Sequence, residues 1–369
     1  MMESVLAQFK ERFAKRHEYC RELKKSGKKL MACFYGLVPK ELIHAAGLVP
    51  VQLIEDRSPR YEEQSGLLPY LCGMSKNLTG QIYSGVLDYI EGIMVATVCD
   101  TNRRVFDVWV HKKIFPHLLL ARLPATTTEL AVQYYKNELR RLAGELRRIS
   151  GVKVTEERLW QSIAAFNENR ELFQQFYGIL PQAEISGEEA IWVFASALVA
   201  PVEEHNELLK KLLASSLPPL KTIGRVELML CALNLNMSME VSKLAEKYGG
   251  RMVTNDFTHN ARYGSDPVAM GGDPFESLAR GYLGRIPAPG VYPFEKRALS
   301  IRERMERAGA RGMIFLIQQY CDAYAMEYAI LKERFDRWNL RHLKLEAEDT
   351  PSSIEQLNVR VQSFVESLL

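Results

Sequence analysis

One pattern occurs twice in this chain and limits what it can fold into. Gly92-Ile-Met-Val-Ala-Thr-Val-Cys99-Asp100 is a short apolar run rich in β-branched residues, opened by glycine and stopped by a Cys-Asp pair. Such a run reads as a strand buried on both faces. A helical pattern follows from Thr101 to Lys112, with Val105, Val108 and Trp109 on one side. Near the other end, Gly312-Met-Ile-Phe-Leu-Ile-Gln-Gln-Tyr-Cys321-Asp322 repeats the design, and a helix from Ala323 to Trp338 follows. Ligands in open α/β sheets sit at the carboxyl ends of strands. Two thiols delivered there, one from each half of the chain, point to a shared site in a cleft between two domains.

The remaining segments fit that frame. Glu3–Lys24 reads as one helix, with Val5, Phe9, Phe13 and His17 on its inner side. Strands are expected over Lys28–Phe34, Val49–Ile54 and His117–Leu123. A helix starts at Pro39 and is closed by Gly47, proline at the first turn and glycine after the last. A polar loop separates Ile54 from Cys72, and a helix runs from there to about Tyr89. From Thr128 to Leu213 the period changes to three or four, as in Leu139, Leu142, Leu146 and Ile149, and Trp160 and Trp192 read as core aromatics. A second α/β unit follows, with strands at Arg225–Leu233, Arg251–Asn255 and Leu340–Leu345 beside the Cys321 strand. Its helices are Met237–Tyr248, Asp273–Leu283, Pro293–Ala308 and Ser352–Leu368. The expectation is an α/β fold: two doubly wound parallel-sheet domains with a helical insertion and an N-terminal helix. The boundaries fall at residues 1–28, 29–127, 128–217 and 218–369.

Charge excludes some functions. Against 48 basic residues stand 45 acidic ones, a net +3 over 369 residues, which offers no field for nucleic acid. Basic pairs such as Arg140-Arg141 and Arg147-Arg148 sit at helical spacing beside Glu138 and Glu145, as on a solvated face. Residues 1–29 are amphipathic and charged, unlike a secretory signal, and no apolar run reaches the ~20 residues of a membrane span. A cytoplasmic location is expected, where thiols stay reduced. The six cysteines then read as ligands or buried thiols. None forms a CxxC pair, so a zinc ribbon or ferredoxin-like run is excluded.

Among the cysteines, Cys99 and Cys321 end strands and precede helices, whose first amides stabilise a thiolate. Cys72 lies at a loop-to-helix junction and can join them. Three protein thiolates on an iron–sulfur cluster leave one iron open for substrate, the logic of catalytic metal sites. Cys20, Cys33 and Cys231 fall within a helix and within strands and read as structural. Spacing alone leaves both a cluster-ligand role and a plain buried-thiol role open for the first three. Asp100 and Asp322 read as helix caps in preference to hydrogen-bond acceptors around a cluster. His259 and Arg262 share a loop after a strand, a place for substrate contact. Lys76 and Arg103 are candidate donors to phosphate, and His44 reads as a packed or exposed side chain with no catalytic role.

Several motifs resemble one family. Pro39-Lys-Glu-Leu-Ile-His-Ala-Ala-Gly-Leu-Val-Pro50, Cys72, Cys99-Asp100, Leu278-Ala-Arg-Gly-Tyr-Leu-Gly-Arg-Ile-Pro-Ala-Pro289, Tyr320-Cys321-Asp322-Ala-Tyr-Ala-Met-Glu327 and the segment Glu355–Glu366 are similar to the 2-hydroxyacyl-CoA dehydratase and ATP-dependent benzoyl-CoA reductase superfamily. The resemblance runs from Lys29 to Leu369. It implies a catalytic subunit whose [4Fe-4S] cluster is held by Cys72, Cys99 and Cys321, with the fourth iron lacking a protein cysteine. It implies a heterodimer with a related second subunit, and an ATP-hydrolysing activator iron–sulfur protein that supplies single low-potential electrons. The substrate is then an acyl-CoA thioester, which passes through a ketyl radical on the way to dehydration or ring reduction. The stretch Val98–Trp109 resembles the benzoyl-CoA reductase small catalytic subunits more than the dehydratase β subunits. The alternatives are a 2-hydroxyacyl-CoA dehydratase subunit and an electron-relay partner that binds no substrate. Two departures bear on substrate identity: Asn260-Ala261-Arg262 stands where relatives commonly have Gly-Ser-Arg, and Ala288 where they often have cysteine.

Overall fold

A computed structural model describes residues 2–215, 220, 225–257, 266–289 and 291–369. Its strands form two four-stranded sheets. The first contains β1 (Leu30–Phe34), β2 (Val49–Gln52), β3 (Ile90–Ala96) and β4 (Leu118–Ala121) in the order β2-β1-β3-β4. The second contains β5 (Val226–Ala232), β6 (Gly250–Phe257), β7 (Gly312–Gln318) and β8 (His342–Ala347) in the order β6-β5-β7-β8. Every neighbouring pair is parallel, so each connection is a crossover. The inner strands β1 and β7 are buried at every residue, whereas the edge strands β4 and β8 are half exposed. That is why the inner strands read as unbroken apolar runs.

The helices are α1 (Met2–Ala14), α2 (Arg16–Lys25), α3 (Lys40–Ala45), α4 (Pro59–Gln64), α5 (Gly73–Ser84), α6 (Asp100–His111), α7 (Glu129–Ser150), α8 (Glu156–Ile179), α9 (Gly187–Ser196), α10 (Val202–Ala214), α11 (Leu235–Lys247), α12 (Pro274–Gly284), α13 (Phe294–Ala308), α14 (Asp322–Arg337) and α15 (Pro351–Glu366). The two sheet units therefore share one connectivity: one helix, then two, then one between successive strands. Helices α7 to α10 separate the units in sequence and touch both in space. α8 packs on α3 and α12, and α9 packs on α1, α11 and β6. One contiguous buried cluster runs through both sheets. No described helix is long and apolar enough to cross a membrane.

The structure departs from the sequence reading at two points before the site. The N-terminal helix is two helices, interrupted at Lys15. The break precedes Arg16, which is buried and donates to the Glu55 carbonyl at 3.2 Å. The segment read as a polar loop contains α4, six residues with too little apolar content to show a period. Gly80 explains how α4 sits on α5: a Cβ there would lie 1.8 Å from the Tyr61 carbonyl oxygen. Only a glycine lets the two backbones approach so closely.

Candidate functional site

In each sheet the chain reverses its direction of winding between two adjacent strands, β1 and β3 in one and β5 and β7 in the other. The crevice outside those carboxyl ends is where such folds bind ligands. Here the two crevices merge. Tyr35 after β1, Val98 to Asn102 after β3, Leu233 after β5 and Tyr320 to Tyr324 after β7 all line one cavity of about 260 Å³. Cys72, Cys99 and Cys321 are all in its wall. The three cysteines read from the sequence as a group are thus brought together from positions far apart in the chain.

Each of the three occupies the cap position of a helix: Cys72 before α5, Cys99 before α6 and Cys321 before α14. Strands β3 and β7 end earlier, at Ala96 and Gln318, so these sulfurs belong to the strand-to-helix turns. The expected caps are displaced accordingly. Asp100 and Asp322 are exposed residues of the first helical turn, and the Cys99 sulfur takes the Asn102 amide at 3.5 Å. Cys72 and Cys321 hold the cap position without a side-chain cap hydrogen bond, although the nearby amides of Met74 and Ser75, and of Tyr324, act to lower their thiols. A helix start with amides aimed at sulfur favours the charged thiolate. Two wall residues are strained: Tyr35 has φ 82° and Tyr320 has φ 62°, left-handed values that side chains larger than asparagine rarely take. The two halves meet closely, since a Cβ on Gly73 would lie 2.7 Å from the Gln318 amide nitrogen.

The thiols are unequal. A hydrogen bond from Cys321 holds Cys72 below the ordinary thiol range, against the effect of its burial. The same contact, together with burial, raises Cys321 well above that range. Burial pushes Cys99 up to about 11, although the Asn102 amide opposes it. Among the described residues no three His, Cys, Asp or Glu side chains close in tightly enough to hold a single metal ion. The sulfurs instead surround a void. Cys20, Cys33 and Cys231 are fully buried away from it, as expected of structural thiols.

A second cavity of about 260 Å³ shares Val98, Cys99 and Asp100 with the first. Leu37, Leu123, Leu283 and Ala288 give it apolar walls, and Arg103 and Arg285 also line it. Behind this wall lies a charge network that sequence reading missed. Glu41 on α3 is fully buried, paired with Arg170, 3.5 Å from Arg285, and accepts from the Tyr282 hydroxyl at 2.7 Å. Burial alone would raise the Glu41 carboxyl, but the two guanidiniums and the hydroxyl hold it at about 2. The signal available was a Lys-Glu pair in the short helical stretch Pro39–Ala46, whose other residues apart from His44 are apolar. Its partners lie more than a hundred residues away, which no local pattern shows.

The other expected residues divide. Lys76 is not a phosphate donor: it is buried, donates to the Pro69 carbonyl at 3.0 Å and pairs with Glu62 at 3.0 Å. Arg103 is exposed at the second cavity. His44 is half-buried, bound to Ser162 at 2.9 Å and Glu203 at 3.0 Å. Trp160 and Trp192 pack against the core, partly covered. His259 and Arg262 lie outside the described residues.

Glu55 also escaped notice. It follows β2, is buried, and its carboxylate accepts from Asn234 at 3.2 Å; Asn234 also donates to Asp349 at 3.3 Å. Burial first, then the charges of Asp349 and Cys72, push the Glu55 carboxyl up to about 8. The folded chain therefore holds this proton up to about pH 8, whereas the unfolded chain releases it near the ordinary 4.5. Between those values the folded state binds more protons, so stability falls as pH rises. Glu55→Gln is expected to remove this slope, which amounts to up to roughly 4 kcal/mol for a fully buried group. Urea midpoints of metal-free protein from about pH 5 to 8 measure it, and equal slopes in both proteins would refute the assignment.

Comparison with known proteins agrees with the motifs. The family described as 2-hydroxyglutaryl-CoA dehydratase, D-component, matches residues 35–368. One of the benzoyl-CoA reductase subunits of Thauera aromatica is 25% identical over 360 residues, covering 92% of this chain and 91% of that one. The (R)-phenyllactyl-CoA dehydratase beta subunit of Clostridium sporogenes is 22% identical over 360 residues, covering 94% of each. The beta subunit of (R)-2-hydroxyglutaryl-CoA dehydratase from Acidaminococcus fermentans is 25% identical over 369 residues, again covering 94% of each. With a match that runs from the end of β1 through every later strand and all three clustered cysteines, this chain belongs to the 2-hydroxyglutaryl-CoA dehydratase D-component family.

Proposed function

We propose that this chain is a catalytic subunit of a radical acyl-CoA enzyme, with Cys72, Cys99 and Cys321 holding a [4Fe-4S] cluster. The observation that carries this reading is the single cavity at the carboxyl ends of both sheets, walled by three cysteines at three helix starts. The donor set fits: three soft sulfurs, each at a helix start, suit a cluster that carries negative charge. When bound, that cluster supplies single low-potential electrons to an acyl-CoA thioester. The chain's own residues hold the thiolates in place and keep bulk water from them. Cys99 and Cys321 release protons on loading, so loading is favoured by rising pH. The working enzyme is a heterodimer with a related second subunit, and an ATP-hydrolysing iron–sulfur activator feeds it. His259 and Arg262 are proposed substrate contacts.

Within that class we favour ring reduction of the benzoyl-CoA type, supported by the stretch Val98–Trp109 and the similarity to a benzoyl-CoA reductase subunit. Dehydration of a 2-hydroxyacyl-CoA is the second reading, supported by the relatives named as dehydratase beta subunits. The test is anaerobic assay of the complex reconstituted with its partner and activator. Reduction of benzoyl-CoA is the expected result. Turnover of a 2-hydroxyacyl-CoA to a 2-enoyl-CoA in its place would establish the second reading. If neither is turned over and no acyl-CoA perturbs the cluster spectrum of this subunit, the chain is an electron relay.

A further inference from the structure

The largest cavity among those described lies outside the cysteine site and plays no part in the reading so far. It is a groove of about 600 Å³ between the end of α8 and one face of α13. Lys296, Ser300, Arg304 and Arg307 line it. Their spacing of four, four and three residues places them in one stripe along the helix. Glu303 and Asp266 also line the groove, leaving three cations against two carboxylates. Ile286 is common to this groove and to the small apolar cavity, and that cavity in turn shares Val98 to Asp100 with the thiol cavity.

Three compartments therefore stand in a row: sulfur-lined, small and apolar, then large and basic. The middle one has room for a ring-sized group, since about 150 Å³ already admits benzene. It is too small for a nucleotide. The outer groove falls in the ~300–1,000 Å³ range of ligand sites, and its arginines suit phosphate, which guanidinium binds by paired hydrogen bonds. We propose that the α13 groove binds the phosphorylated nucleotide arm of coenzyme A, with the acyl end reaching past Ile286 into the apolar cavity beside Cys99. The assignment rests on the acyl-CoA reading above and adds to it where the coenzyme lies on this chain and what holds it.

The experiment is calorimetric titration of the full chain with free CoA and with 3′-dephospho-CoA. Lys296 and Arg307 are exposed, so Lys296→Glu/Arg307→Glu changes charge without disturbing the core. It is expected to weaken CoA binding at least tenfold and to flatten its salt dependence. Glu303→Lys, also at an exposed residue, is expected to tighten binding several-fold. Dephospho-CoA should respond less to both. Undiminished CoA affinity in the double variant, or no binding by the unaltered chain at millimolar CoA, overturns the groove. Iron is measured on the same anaerobic preparations. Iron-loaded protein whose CoA affinity ignores the charge reversals refutes the groove and leaves the catalytic reading intact. Iron-free protein that binds CoA through these residues does the reverse.

Discussion

Cys321→Ser is expected to turn an anaerobically purified brown protein colourless, taking iron from about four atoms per chain toward zero and activity of the reconstituted complex down at least a hundredfold. The sulfur sits at the start of α14, in hydrogen-bond contact with Cys72 and in the same cavity wall as Cys99. Serine keeps the shape and the turn but is a far weaker ligand for iron, since thiolate is what such clusters require. Cys33→Ser is the control. Cys33 is fully buried inside β1, away from the cavity. Its replacement should lower stability through the buried hydroxyl and leave the iron in place. Full iron content in Cys321→Ser, with the spectrum unchanged, would remove Cys321 from the ligand set.

The second large effect is structural. Arg297 on α13 is fully buried and donates to Asp256 through Nε at 3.0 Å, with Nη2 2.8 Å from the same carboxylate oxygen as an ion pair; it also pairs with Glu327 on α14. Its guanidinium lies 5.2 Å from the centre of the Tyr324 ring, and Tyr324 is one of the cavity residues. Arg297→Met takes the cation from between two buried carboxylates. Breaking one side of such a pair costs about 3–5 kcal/mol, because the charges left behind stay desolvated. A loss of that size is expected in chemical denaturation. Lowering the pH should recover part of it, because protonated carboxyls no longer need the cation. Adding Asp256→Asn and Glu327→Gln should recover more. A variant within about 0.5 kcal/mol of the unaltered protein would show that the network contributes nothing. The same three residues tie α14 to β6 and α13, so the variant also tests how firmly Cys321 is held.

The strands were legible because each inner one is covered on both faces, and continuous apolar runs such as Gly312–Ile317 have few alternative readings. Helix α4 was not, since it is held by backbone approach at Gly80 and not by an apolar stripe of its own. Cys72, Cys99 and Cys321 could be picked out from their places at helix starts, and the structure gathers them. The role given to Asp100 and Asp322 was wrong because the residue one position earlier, a cysteine, already occupies the cap. The buried charges at Glu41, Glu55 and Arg297 were illegible for a different reason. Glu41 and Glu55 draw on partners from another unit of the chain, and Arg297 on a strand and a helix 30 to 41 residues away, so no local pattern shows the pairing before the fold encloses it.

The matching connectivity of the two sheet units has a geometric consequence. Cys99 and Cys321 occupy corresponding turns, after β3 and after β7, and Cys33 and Cys231 lie in the corresponding strands β1 and β5. Cys72 opens the second helix of its crossover, and the counterpart of that helix in the other unit is α13. Ahead of α13 stands Pro289, which lines the thiol cavity but has no donor to offer. Of the four corresponding turns, three therefore begin their helix with cysteine and the fourth does not. Beside Pro289 is Ala288, a residue of the neighbouring apolar cavity. The matching connectivity therefore does not extend to the side chains: the cavity wall carries sulfur on the α5, α6 and α14 sides and proline on the side leading to α13.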